Sequence, residues 1–439
     1  MTSRISQQIQ IIETITAQPN LTAFAVHNSE NLPSDIISIA PPFISHNDAS
    51  MCCILHAIRG TIAESMCEDI NVRALGPTGK VGVPYLLTRD NQTLIVKVSE
   101  VDAPYTKYQE KPPTSLNKLN IVGVRACLTK VPVQNIRYMV SDEFTNETLI
   151  AYVLNYLASK VSLPPLFVIH HDAGVCTDQG VTYGMNIMEY CDLGPLDEFV
   201  PAYAIQSNIT YRGRTQRIKI ASENDVYAVL TQLTVALDML ESNIGFTSGD
   251  LKAGNVFVKS DAIDYEYKGI HLQAPFTCKI GDYGKSSCMI RRSTGTALRF
   301  YTDSKLARAY LKIHPFDPNI QEYDGVMYYT LGTLTNLQLA TRTRHMGIPF
   351  YMSMDYYTIL VSLLTRPAYF YTFFSSEKLL STFWQPVWNP NESSQDLIDM
   401  IYNYVLDNSG RSINDALNML KGRSLRCDAV TAVMKKLQH

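Results

Sequence analysis

The stretch "GFTSGDLKAGNVFV", residues 245–258, decides how the rest of the chain is read. An Asp at 250 is followed by a Lys at 252 and an Asn at 255, and the chain then turns apolar. That order describes a polar loop running into a buried strand. Such a loop can hold a proton acceptor, an anion and a hard metal ion side by side, because it fixes an acid, an amine and an amide at set spacing. Alone, D-x-x-x-x-N is a weak signal, and its weight depends on its company.

That company is ordered along the chain. "VYAVLTQLTVALDML", 226–240, is an apolar helix leading straight into the loop. Downstream, "CKIGDYGKSS", 278–287, repeats the logic, an apolar strand followed by Asp282-Tyr283-Gly284. Upstream, "NVRALGPTGKVGVPYLLTRDNQTLIVKVSE", 71–100, alternates apolar runs with Gly-rich and Asp-Asn turns, which predicts a three-stranded meander. Lys97 stands on the last of these strands, where an unpaired ammonium would be costly. Its expected partner is Glu147, at the start of a helix over 146–159 whose face carries Leu149, Ile150, Val153, Leu154 and Leu157. "TYGMNIMEYCDLGPLDEF", 182–199, reads as a buried strand, a connector and a helix start.

The remaining segments carry less chemistry. Ile5, Ile9, Ile12 and Ile15 predict an amphipathic helix over 3–17 packed on a neighbouring lobe. Residues 103–140 and 201–222 read as basic, solvated insertions, the second with Arg212, Arg214, Arg217 and Lys219. Residues 290–439 read as mostly helical, with "DYYTILVSLLTRPAYFYTFF", 355–374, as one core helix. His170-His171 reads as a strand end, because adjacent strand residues face opposite ways and do not pair on a metal.

At 439 residues the chain is too long for one core and suits two or three lobes. The formal charge of −3 gives no general pull toward nucleic acid or anionic membrane, so no direct nucleic-acid binding is expected. Nine cysteines are scattered without a C-x-x-C pair, so neither a disulfide framework nor a zinc site is expected, and a reducing compartment follows. The N-terminal residues lack a secretory pattern, and no apolar run approaches the roughly 20 residues of a membrane span. Strands first and helices afterwards predict an α+β chain.

Across roughly residues 72–420 the sequence resembles the eukaryotic-type serine/threonine protein kinases, whose signature has these parts in this order. The resemblance implies a bilobal fold: an N-terminal extension (1–70), a β-rich N-lobe (71–190, interrupted by 103–140) and a helical C-lobe (191–439, interrupted by 201–222). It implies ATP with Mg²⁺, or Mn²⁺ in its place, and protein substrates. Gly76, Gly79 and Val81 match the Gly-rich loop, with Ala74 at the first glycine position. Lys97 and Glu147 match the strand lysine and its helix partner. Met188, Glu189 and Cys191 match the segment beside the adenine. Asp250 and Lys252 match the catalytic acid and lysine, and Asn255 and Asp282 the metal ligands, with Tyr283 replacing Phe.

Two departures bear on function. Ser248-Gly249 replaces the His-Arg that precedes the catalytic Asp, which removes the arginine that receives a phosphorylated loop. No A-P-E follows; the segment from Leu331 onward resembles that of casein-kinase-like and vaccinia-related kinases, which makes Gly332-Thr333 the substrate turn and Asp355 the brace of the catalytic loop. The style of divergence resembles kinases of large DNA viruses and implies a cytoplasmic or virion location. The alternatives are a pseudokinase scaffold that binds nucleotide without turnover and a small-molecule phosphotransferase sharing the Asp…Asn loop.

Overall fold

The structure is a computed structural model of the chain. It describes residues 5–13 in part, 49–60, 70–75, 83–101 apart from 90–91, 136–160 apart from 142, most of 164–291, 297–302, 320–330 apart from 324–325, 348–384 and 423–439, with isolated positions at 396, 399 and 403. Helices and strands are mixed, as an α+β chain requires. The chain divides into two compact units. The first comprises Met1–Pro113, Gln134–Tyr190 and Asp282–Ser304; the second comprises Thr114–Val133, Cys191–Gly281 and Lys305–His439.

In the first unit, α1 (Ala49–Arg59) precedes β1 (Asn71–Ala74), β2 (Val83–Arg89), β3 (Gln92–Glu100) and β4 (Ile136–Ser141). There follow α2 (Glu143–Lys160), β5 (His170–Asp178) and β6 (Val181–Glu189). Five strands form an antiparallel sheet in the order β1-β2-β3-β6-β5, so the meander expected over 71–100 is present. The pleat sends Leu94 and Val96 to one face, where they pack with Met185, Ile187 and Leu87 under Met51, Ile54 and Leu55 of α1. Cys52 of α1 is joined to Cys176 of β5 by a disulfide. This corrects the expectation of no disulfide: the partners lie 124 residues apart, and spacing carries no information about which strand a helix will cover.

The other face of the sheet carries Lys97 and, paired beside it on β6, Asn186. Helix α2 settles against this face. Gly184 permits the approach, since a Cβ there would meet the Phe144 ring at 2.7 Å. The Thr148 hydroxyl is hydrogen-bonded to Asn186 at 2.9 Å. The described residues of the 3–17 segment are helical and pack on the same helix: Ile12 is buried, and Gln8 donates to the His171 carbonyl while accepting from Asn155. Outer contacts of this kind explain why α2 is buried on more sides than one apolar face predicts, with Ala151 and Tyr152 as enclosed as Leu154.

The second unit begins with β7 (Gly194–Pro195), β8 (Ile205–Tyr211), β9 (Arg214–Ile220) and α3 (Glu223–Ile244). It continues through β10 (Val256–Lys259), β11 (Ile263–Tyr267), β12 (Ile270–Ala274) and β13 (Thr277–Ile280). The chain then returns to the first unit for β14 (Ser287–Arg291) and β15 (Ala297–Thr302); β15 pairs antiparallel with β14 and parallel with β4. Last come β16 (Ile320–Tyr323), β17 (Val326–Thr330), α4 (Ile348–Leu364), α5 (Pro367–Ser375), α6 (Glu377–Phe383), β18 (Ser424–Arg426) and α7 (Ala429–Leu437).

Helix α3 is the spine of this unit. Ser222 and Asp225 form a capping box at its start, and Gly245, at φ 53°, closes its end in the left-handed conformation that glycine adopts freely. Four readings of the sequence are revised. The stretch 355–374 is two helices, because Pro367 has no N–H to continue α4 and instead starts α5. Residues 205–220 form a hairpin rather than a loop, with β9 seated on α5. Residues 196–198 make only a turn where a helix start was expected. The region after 290 holds strands as well as helices, β17 pairing with both β16 and β18. Among the described residues, no helix is long and apolar enough to cross a membrane.

Candidate active site

The residues singled out in the sequence fall into two sets, one in each unit. In the first unit Lys97 is the centre. Its ammonium lies 2.9 Å from Glu147 on α2 and 2.7 Å from Asp282, just past β13. Lys97 is 16% exposed and Glu147 only 4%, so the pair is largely withdrawn from water. Burial works against the charge on Lys97, but Glu147 and Asp282 together outweigh it and hold the amine protonated well above the ordinary lysine range.

Asp282 sits in the left-handed region, φ 57° and ψ 70°, which few non-glycine residues occupy without cost. The turn behind it is heavily anchored. Tyr283 is buried, its hydroxyl donates to the Val168 carbonyl at 3.0 Å, and its ring lies 5.4 Å from that of His170. Phe could not make that hydrogen bond, so the departure from Phe to Tyr has a local structural reason. His170 is buried with no hydrogen-bond partner for either ring nitrogen. Burial first, and then the positive Lys97, push its pKa down to about 3, so it is neutral. Strand β5 begins at His170, as the strand-end reading of His170-His171 has it. On β6, Met188 is buried, and Glu189 accepts from the Ile169 amide at 2.8 Å. The second of the first unit's three stretches ends at Tyr190.

In the second unit the opening loop is laid along one stripe of α4. Asp355 and Ser362 stand seven residues apart, two helical turns, and so share a face. The buried Asp355 accepts from the Ser248 amide at 2.6 Å and from the Gly249 amide at 3.0 Å. Two turns on, the Ser362 hydroxyl accepts from the Ala253 amide at 2.9 Å. Gly249 has φ 68°, which accounts for glycine in this place. Between these anchors Lys252 lies 3.5 Å from the Asp250 carboxylate. Asn255 donates its side-chain amide to the Asp250 carbonyl at 2.8 Å, which turns the loop back on itself. Its carbonyl receives the Gly281 amide at 2.9 Å, and β10 then pairs with β13 and β7. Cys191, at the start of this unit, is buried and outside any disulfide.

No family model matches the chain. Over 265 residues it is 25% identical to a protein of Acanthamoeba polyphaga mimivirus named "Putative serine/threonine-protein kinase". The match covers 51% of this chain and 36% of that protein, so the chain spans little more than a third of the relative's length. The similarity supports a kinase-like relationship and a viral relative.

Four of the residues expected at the site, Gly76, Gly79, Val81 and Thr333, lie outside the described residues. Two others emerge only from the structure. Asn146 is buried beside Glu147 and bonds the turn after Asp282, and the His170 ring lies tilted beside that of Tyr283. Asn146 had a legible signal, since it falls one helical turn before Ile150, a polar side chain on the apolar face. Asn255 in the second unit and Asp282 in the first each carry a hard side-chain oxygen, the donor type that Mg²⁺ and Mn²⁺ take. Among the described residues no group of three or more His, Cys, Asp or Glu side chains that could hold a metal ion forms.

Proposed function

We propose that the chain is a divergent serine/threonine protein kinase with a bilobal kinase-like architecture, transferring the γ-phosphoryl group of Mg-ATP to protein hydroxyls. The observation that carries this reading is the joining of Lys97 to both Glu147 and Asp282. A lysine held by two carboxylates, one of them 39% exposed, is a fixed cation beside an acid that can still reach a metal. The similarity to the mimivirus protein supports the same class.

When bound, Mg-ATP supplies an electrophilic phosphoryl group whose charge the ion offsets. The chain's own residues do the rest. Lys97, steadied by Glu147, would grip the α- and β-phosphates, and Asp282 and Asn255 are the residues that would hold the cation. By the family resemblance, Gly76 and Gly79 would let backbone amides come close to the phosphates, and Val81, Met188, Glu189 and Cys191 would serve the base. Asp250 orients the acceptor hydroxyl and takes its proton as the new O–P bond forms and the bond to ADP breaks. Lys252 would offset charge on the group in transit, and by the family resemblance Thr333 would position the acceptor. Catalysis is thus placement and electrostatics, which the braced loop over 248–255 serves.

Phosphotransfer from labelled Mg-ATP to a panel of acidic and basic proteins tests the reading. Incorporation on Ser and Thr, abolished by Asp250→Asn and Asp282→Ala, is the expected result. Nucleotide binding without incorporation would favour a scaffold, and labelling of small alcohols or sugars alone would favour a small-molecule phosphotransferase.

A further inference from the structure

Three successive residues of α2 reach three different places. Glu147 holds Lys97 on β3, Thr148 holds Asn186 on β6, and Asn146 holds the turn after Asp282. The Asn146 amide nitrogen lies 2.9 Å from the Ser286 carbonyl, 3.1 Å from that of Gly284 and 3.4 Å from that of Tyr283. It has two hydrogens for three acceptors, so one is shared. The side chain is 1% exposed, so water is a poor substitute for these bonds.

We propose that Asn146 is a positioning residue that makes the placement of Glu147 and of Asp282 a single event. The inference rests on the kinase reading above and adds to it how the site is held in order. Asp282 occupies a left-handed conformation that persists only where its surroundings impose it. Two anchors do so: the Tyr283 hydroxyl on Val168, and Asn146 from the helix that also carries the partner of Lys97. Sliding or rotating α2 moves both neighbours together, so Lys97 loses Glu147 and Asp282 in one motion. Gly249 has no side chain to receive a phosphate, and a helix amide already fixes the turn without one. The ordering is therefore built into the fold.

The test compares wild type with Asn146→Leu, which keeps the size and removes the donor. Hydrogen exchange read by mass spectrometry should quicken by about tenfold or more over residues 282–288, as expected where a buried hydrogen bond is lost. Peptides covering β3 and the Leu149–Leu157 part of α2 should be unchanged. In the phosphotransfer assay kcat should fall by about tenfold or more, with the apparent KM for the peptide substrate altered less than about threefold, because the loss is of alignment. Unchanged exchange at 282–288, or an equal rise throughout the first unit, would overturn the proposal, since the second outcome marks a plain structural role. If the leucine variant does not fold, Asn146→Ser, smaller and with room for water, must show the same local pattern at lower amplitude. A wild type without phosphotransfer would count against the kinase reading alone, and the exchange pattern would still decide the role of Asn146.

Discussion

At the scale of single residues, Lys97 shows how one buried charge sets its own conditions. Replacing it by Met leaves Glu147 enclosed without its cation, so the variant should lose both phosphotransfer and stability, the latter by up to about 3 kcal/mol. Adding Glu147→Gln should return most of the stability and none of the activity, which denaturant unfolding and the labelled-ATP assay would separate. A fully stable single variant would show that the pair is not buried as described. His170 makes the opposite case, a group that must stay uncharged. Its folded pKa of about 3 lies below the ordinary 6.5, so the unfolded chain binds the proton first as pH falls. Its contribution is whole above pH 6.5 and is lost on acidification toward 3, with a slope approaching about 1.4 kcal/mol per pH unit. The groups acting on it are Lys97 and His171, which oppose its charge, and Asp282, which favours it. Melting curves from pH 7 to 4 should fall less steeply for His170→Leu than for wild type; parallel curves would place the histidine's neutrality elsewhere.

At the scale of elements, the loop over 248–255 depends on α4 more than on its own turns. Asp355 takes two amides through its two oxygens, so Asp355→Asn sets an NH₂ against one of them. The variant should lose roughly 1.5–3 kcal/mol, as when a charge-assisted bond is removed, and phosphotransfer should drop with it. An unaltered melting temperature would mean that the loop holds itself. Much of this element was legible: the apolar helix before the loop, the strand after it and the Lys97 pairing with Glu147 follow from pattern and order, while the acid at 355 is implied only by the family resemblance. What was not legible has physical causes. The parallel pairing of β15 with β4 joins segments 161 residues apart in register, Ala297 to Ile136, and neither strand carries a mark of the other. The β8–β9 hairpin was hidden by its basic residues, although "TYRGRT" at 210–215 has the polar tip and glycine of a tight turn. Pro367 did announce the break between α4 and α5, but the apolar run on both sides masked it. Asn146 carries little signal in the sequence beyond its place on the apolar face, because helix faces are defined by their apolar members.

At the scale of the whole chain, the internal fastening of α2 predicts a protein that works as made. Material shown by mass spectrometry to be unphosphorylated over 285–331 should transfer phosphate at its full rate, and treatment with a phosphatase should leave that rate unchanged. A large gain after phosphorylation in this segment would contradict it. The same fastening has a consequence in time. The first unit draws on three stretches of chain, and the last of them, Asp282–Ser304, brings the acid for Lys97, the acceptors for Asn146 and the strand beside β4. Ribosomes add about 5–20 residues per second, so a nascent chain that has finished β6 waits on the order of 10 s for that stretch to emerge. Throughout that interval the β15-facing side of α2 is uncovered, and Lys97 has Glu147 but not Asp282. The vulnerable moment of this protein therefore falls in the middle of its synthesis, when most of the first unit exists and the segment that seals it has yet to be translated.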